Sequence, residues 1–199
     1  MGSGIQDEHW RGAISLKLEL HADEVTTVPP PEPLFILAPR LGYLPQVSKQ
    51  ALQQFKGFLP PGIDEPWFEY KGVPLKWQIP TGALYDLLSD GEYPWCLTIH
   101  FRAYPKDALQ PISGDETLQA SYLNSLKEAA YVLTGNSSAV MSLTTKSQQE
   151  LWQNVLDGQH SDFFQNMEKM ELMKPVVRLI PARAPLNLLA LTFYFFLSS

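Results

Sequence analysis

"PWFEYKGVPLKWQIPTGALYDLL", residues 66–88, joins an extended pattern to a helical one. Two short runs, rich in aromatic and apolar residues, flank Lys71-Gly72, and glycine there permits the tight reversal a hairpin needs. After these two strands (66–80), "TGALYDLLSDG" (81–91) reads as a two-turn helix. A hairpin feeding a short helix needs a larger sheet around it, because a single hairpin is barely stable in water.

The flanks supply that sheet. "GAISLKLEL" (12–20) alternates, with Ile14, Leu16, Leu18 and Leu20 on one face and Ala13, Ser15, Lys17 and Glu19 on the other, as a half-buried strand would. "WCLTIHFRAYP" (95–105) repeats the pattern with Trp95, Leu97, Ile99 and Phe101 inward and Cys96, Thr98, His100 and Arg102 outward. "LFILAPR" (34–40) is a continuous apolar run, which predicts a strand covered on both faces. "VSKQALQQFKGF" (47–58) is a short helix with Ala51, Leu52 and Phe55 inward and Gly57 as its C-cap. "VPPPEP" (28–33) reads as a stiff hairpin connection; its PxxP spacing, Pro30 to Pro33, also suits an SH3-type ligand, but no basic residue flanks it to orient one.

Two hairpins joined by a helix, with a last strand returning beside the first, is the β-grasp arrangement of ubiquitin-like domains. Its predicted core is Leu16, Leu18, Phe35, Leu37, Leu97, Ile99 and Phe101. After the linker "YPKDALQPISGDE" (104–116) the period becomes helical. Leu118, Tyr122, Leu126, Ala129 and Leu133 recur at spacings of three and four, Ser113 with Glu116 forms a capping-box pair, and Gly135 ends the run. A second such pair, Ser147 with Glu150, opens another helix, and Phe163, Met167 and Met170 form a stripe before Pro175. "PVVRLIP" (175–181) turns extended again. The fold class is therefore α+β, divided as an N-terminal helix and ubiquitin-like domain (1–104), a linker and helix-rich domain (105–174) and a terminal segment (175–199).

The chain of 199 residues is 45% hydrophobic and 18% charged, a globular composition long enough to bury a real core. Its net charge of -6, with no dense basic run, argues against nucleic acid as a partner. The single cysteine, Cys96, rules out an internal disulfide framework, and the N-terminus lacks an apolar signal region. Gln6 also breaks the myristoylation pattern, and the expected location is cytoplasmic. Cys96 and His100 are four residues apart on one strand, about 13 Å, too far for a nucleophile and its base. His9, His21, His100 and His160 show no metal-ligand spacing, and no glycine-rich phosphate loop occurs, so neither a metal, a cofactor nor a catalytic residue is expected.

"EPWFEYKGVPLKWQIPTGALYDLL", "PWCLTIHFRAYP" and "YLNSLKEAAYVL", in this order, resemble the autophagy protein 5 family across residues 10 to 181. The resemblance implies a non-catalytic scaffold with a ubiquitin-like domain, a helix-rich domain and a second ubiquitin-like domain, of which only the first strand falls in this chain. It implies covalent attachment of the ubiquitin-like autophagy protein 12 through a lysine in a Lys-Glu-Ala context, here Lys127-Glu128-Ala129. E2-like conjugating enzymes would make that bond, and autophagy protein 16 would bind non-covalently. The conjugate would then promote lipidation of autophagy protein 8 at the preautophagosomal structure membrane, where association is peripheral.

Without the resemblance, Lys127 is one of ten lysines and reads as an ordinary rim residue with a snorkelling stem. With it, Leu123, Ala130 and Tyr131 provide a flat apolar surround for a presented amine. The family's pattern departs at "LNLLALTFYFFLSS" (186–199), an apolar tail too short to span a bilayer as a helix. A truncated product with weakened autophagy protein 16 binding is the expectation there. A stand-alone β-grasp interaction module remains the alternative; it predicts no dependence on Lys127.

Overall fold

The computed structural model describes residues 12–62 and 64–157, in two compact units divided at Ser113 and Gly114. The predicted stripe at Phe163, Met167 and Met170, the extended segment 175–181, the apolar tail and the N-terminal helix lie outside the described residues.

The first unit is built on a five-stranded sheet ordered β2-β1-β5-β3-β4. β1 is Ala13–Leu20, β2 Leu34–Pro39, β3 Trp67–Tyr70, β4 Val73–Pro74 and β5 Trp95–His100. β5 lies parallel to β1, with Leu16 opposite Trp95 and Leu20 opposite Ile99, while the other pairings are antiparallel. This is the predicted β-grasp order. The Lys71-Gly72 turn has positive φ at both residues, 49° and 82°, the conformation a two-residue hairpin requires. The Glu69 carboxylate accepts the Gly72 N–H at 3.1 Å and steadies the turn.

Alternation sorts the faces. Ile14, Leu16 and Leu18 of β1 and Trp95, Leu97 and Ile99 of β5 are buried, and Phe101 just beyond is fully enclosed. Helix α1, Pro45–Phe55, closes this core with Val47, Ala51 and Phe55. Leu52 is only half-buried, and Lys56, not Gly57, caps the helix, its N–H reaching the Leu52 carbonyl.

The prediction for β2 fails in one respect. Phe35 and Leu37, expected in the core, are 62% and 65% exposed, and Ala38 is the buried residue of the strand. β2 is an edge strand whose outer face no described element covers, so the apolar run 34–37 does not mean burial on both sides. Its register puts Ile36 opposite Leu16 and Ala38 opposite Ile14, and these odd-numbered neighbours must therefore point out.

Helix α2, Thr81–Leu88, begins without a side-chain cap. Its first donors are satisfied instead by the chain after β2: Thr81 N–H donates to Gly42 O at 2.8 Å and Gly82 N–H to Arg40 O at 2.7 Å. Such an approach leaves no room for a side chain. A Cβ on Gly82 would meet the Arg40 carbonyl oxygen at 2.8 Å and its Cα at 3.2 Å, both backbone atoms. Gly82→Ala is expected to cost about 1–3 kcal/mol from overpacking, outweighing the helix-propensity gain of up to ~1 kcal/mol. Urea denaturation checks this; an unchanged or raised midpoint would contradict it.

The residues after β5 fold onto the same unit. Trp77 Nε1 donates to Gln110 O at 2.7 Å, and Leu109 is buried.

The second unit contains helix α3, Asp115–Thr134, a short helix α4, Ser138–Met141, and helix α5, Thr145–Asp157. Leu118, Tyr122, Leu126 and Ala129 form the buried stripe of α3, as their spacing predicts. Tyr122 packs against Trp152 of α5 with ring centroids 5.4 Å apart, and Leu151 and Val155 complete that face. Gly135 ends α3 in the left-handed conformation, φ 76°, as expected.

Both predicted capping boxes are misplaced. Gly114 is the N-cap of α3, with Asp115 and Glu116 in the first turn favouring the positive helix end. At α5, the Thr144 hydroxyl accepts the Ser147 N–H at 3.2 Å, so the cap lies three residues before Ser147. No described helix is long and apolar enough to cross a membrane.

Candidate functional site

Lys127 lies in the second half of α3, one position after the fully buried Leu126 and before the exposed Glu128. Leu126, Ala129 and Ala130 anchor the helix on its inner side. That fixes the direction in which the half-buried Lys127 stem leaves the surface. Nζ sits 3.5 Å from Asn124 Oδ1, one turn back, and Tyr131, one turn ahead, is 64% exposed. The amine therefore stands on the helix between a polar amide and an exposed aromatic residue. Among the described residues no ion pair neutralises it, unlike Lys71 with Asp90 or Lys17 with Glu19. A primary amine held this way can attack an activated acyl group brought to it.

Cys96 and His100 do not form a site. Cys96 is exposed with its thiol directed to Pro94 O at 3.6 Å. His100, expected on the outward face, is buried to 6% exposure. The physical reason is local cover. Trp67, directly opposite in β3, stacks on the imidazole at 3.8 Å, and His21 stacks at 4.4 Å. The 3-10 turn Ala22–Glu24 brings a buried carboxylate over the strand end, where Glu24 Oε2 accepts the Phe101 N–H at 2.8 Å.

His100 thus lies between two acids, its Nδ1 3.5 Å from Glu24 Oε1 and its Nε2 3.3 Å from Glu69 Oε2. Burial, with His21 alongside, pushes the imidazole down to about 4 despite the opposing pull of Glu69. Burial raises the Glu24 carboxyl, against the backbone donors of Phe101 and Arg102 that favour its charged form.

Spacing along the chain gives the four histidines no common site, but the fold joins two of them. Donor atoms of His21, Glu24 and His100 all lie within 4.8 Å of one another. The signal was in the register: β1 and β5 are parallel neighbours with Leu20 opposite Ile99, so the next residue of each strand, His21 and His100, arrives on one face together.

Comparison with known proteins agrees with this layout. Residues 9–101 match the family model described as "Autophagy protein ATG5, UblA domain", and residues 115–171 match "Autophagy protein ATG5, alpha-helical bundle region". Autophagy protein 5 of Oryza sativa subsp. indica is 49% identical over 164 residues, covering 82% of this chain and 43% of that protein. The Arabidopsis thaliana protein is 49% identical over 150 residues, 75% of this chain and 44% of its own length. The Drosophila melanogaster protein is 33% identical over 159 residues, 78% and 58% respectively. The chain thus spans about half the length of the curated relatives it matches. The crystal structure of Kluyveromyces marxianus Atg5 superposes with a TM-score of 0.74 at 24% identity, covering 83% of this chain and 67% of that one, which shows the fold. With its ubiquitin-like sheet followed by a helical region, the chain belongs to the autophagy protein 5 family.

Proposed function

We propose that this chain is a covalent acceptor in autophagy: Lys127 receives the C-terminal glycine of the ubiquitin-like autophagy protein 12. The observation that carries the reading is the Lys127-Glu128-Ala129 sequence on a well-anchored helix of a chain from this family. The neutral Nζ attacks the thioester linking the modifier to an E2-like enzyme. An isopeptide bond forms, the thioester C–S bond breaks, the enzyme cysteine leaves as thiolate, and the amine gives up a proton. The chain supplies no catalytic group to this step. It supplies position, while the enzyme supplies the activated acyl carbon and favours the neutral amine.

In this reading the conjugate, joined by autophagy protein 16, is a non-catalytic subunit that promotes lipidation of autophagy protein 8. It works in the cytoplasm and peripherally at the preautophagosomal structure membrane.

The test is reconstitution with autophagy protein 12 and its activating and E2-like enzymes. Lys127→Arg keeps the charge and the stem but removes the usable amine. Conjugation is expected to disappear while the circular dichroism spectrum and melting temperature stay unchanged. Conjugate persisting in that variant would overturn the assignment. A wild-type chain that acquires no adduct would favour a stand-alone interaction module instead.

A further inference from the structure

Among the described residues, a cluster the acceptor chemistry does not use is the buried His21–Glu24–His100 corner at the end of the sheet. Glu24 and His100 are each 6% exposed, and His21 is half-buried at the mouth. The arrangement is incomplete as it stands. A neutral imidazole carries one N–H, so it can donate to only one of the two carboxylates it faces. His100 Nε2 lies 3.3 Å from Glu69 Oε2 without forming a hydrogen bond, and Nδ1 lies 3.5 Å from Glu24 Oε1, so the buried imidazole is left incompletely partnered. Glu24 Oε2 accepts the Phe101 N–H, and the Arg102 backbone also stabilises this carboxylate, while Oε1 faces His100.

We propose that His21, Glu24 and His100 bind one divalent transition-metal ion of the zinc type, with Glu69 orienting His100 from behind. Two neutral imidazoles and a carboxylate match the ligand preference of zinc, and the fourth position is left to water. A tetrahedral zinc ion with ligand bonds near 2.0–2.1 Å needs donor atoms about 3.4 Å apart. The Glu24–His100 edge, at 3.5 Å, already has that length. The donor atoms all lie within 4.8 Å of one another, and His21 would have to rotate off its stack on His100 to reach the same ion.

Glu69, 3.3 Å from Nε2, is close enough to form a carboxylate–histidine–metal relay once an ion fixes the ring, the arrangement that sets the tautomer of a ligating histidine. The ligands come from the turn after β1 and the end of β5, so a bound ion would pin the connection Ala22–Glu24 to the sheet.

The experiment is a titration of the chelator-stripped full chain with Zn2+ against a chromogenic competitor, paired with thermal melts. One equivalent of Zn2+ is expected to bind and to raise the melting temperature. His21→Gln, at the half-exposed position, should weaken binding by at least about tenfold and abolish the zinc-dependent rise, with the metal-free melt unchanged. Glu69→Gln should weaken it by about 10–100-fold, the range for an outer-shell carboxylate. Cys96→Ser should change neither, since that exposed thiol is not a ligand. Absence of stoichiometric binding by the wild-type chain overturns the proposal. So does equal binding by His21→Gln, or loss of binding in Cys96→Ser.

Discussion

Ile99→Ala is expected to destabilise the ubiquitin-like unit by about 2–5 kcal/mol, the range for deleting a large aliphatic side chain from a packed core. Ile99 has no exposed surface and lies in β5, the strand between β1 and β3. It faces Leu20 on one side and Phe68 on the other, both buried. Neighbours on two hydrogen-bonded strands cannot collapse into the vacated space without shifting the sheet, which places the cost in the upper part of that range. A domain's whole stability is only about 5–15 kcal/mol, so the variant should be near the edge of folding at 37 °C. Urea titration followed by tryptophan fluorescence measures it. A loss under ~1 kcal/mol would mean that β5 is not the central strand.

Leu126→Ala is the corresponding expectation for the helical unit, again about 2–5 kcal/mol. Leu126 is fully buried on α3 between Tyr122 and Ala129 of the same stripe. The effect should appear as faster amide exchange along 115–134 and as poorer conjugation, although the acceptor amine is untouched. Position is what the helix contributes, so loosening it and deleting the amine should both reduce conjugation, one with unfolding and the other without. Native-like exchange protection in Leu126→Ala would contradict the placement of this residue.

The parts of the fold that rest on local periodicity were readable from the chain. Ile14 to Leu20 and Trp95 to Ile99 each alternate, and a period of two assigns faces whatever the neighbours are. The α3 stripe was readable for the same reason. Phe35 and Leu37 were not, because an unbroken apolar run looks alike in a central strand and in an edge strand with an uncovered outer face. The caps were missed by small offsets. Gly114, at φ 95°, takes the N-cap beside Ser113, and Thr144 takes it ahead of Ser147.

The candidate sites divide along the same line. Lys127 is found by a local three-residue context on a helix. The His21–Glu24–His100 corner depends on strand pairing between residues almost eighty positions apart, which no linear spacing rule detects.

In the proposed acceptor role, the choice of lysine depends on where an amine is held and not on how exposed it is. Lys146 is a useful contrast, since its side chain is 85% exposed on α5 while Lys127 is half-buried on α3. Peptide mapping by mass spectrometry of the reconstituted wild-type conjugate decides between them. A single branched peptide is expected, with the modifier's terminal glycine on Lys127. A branch on Lys146, or branches spread over several lysines, would contradict it.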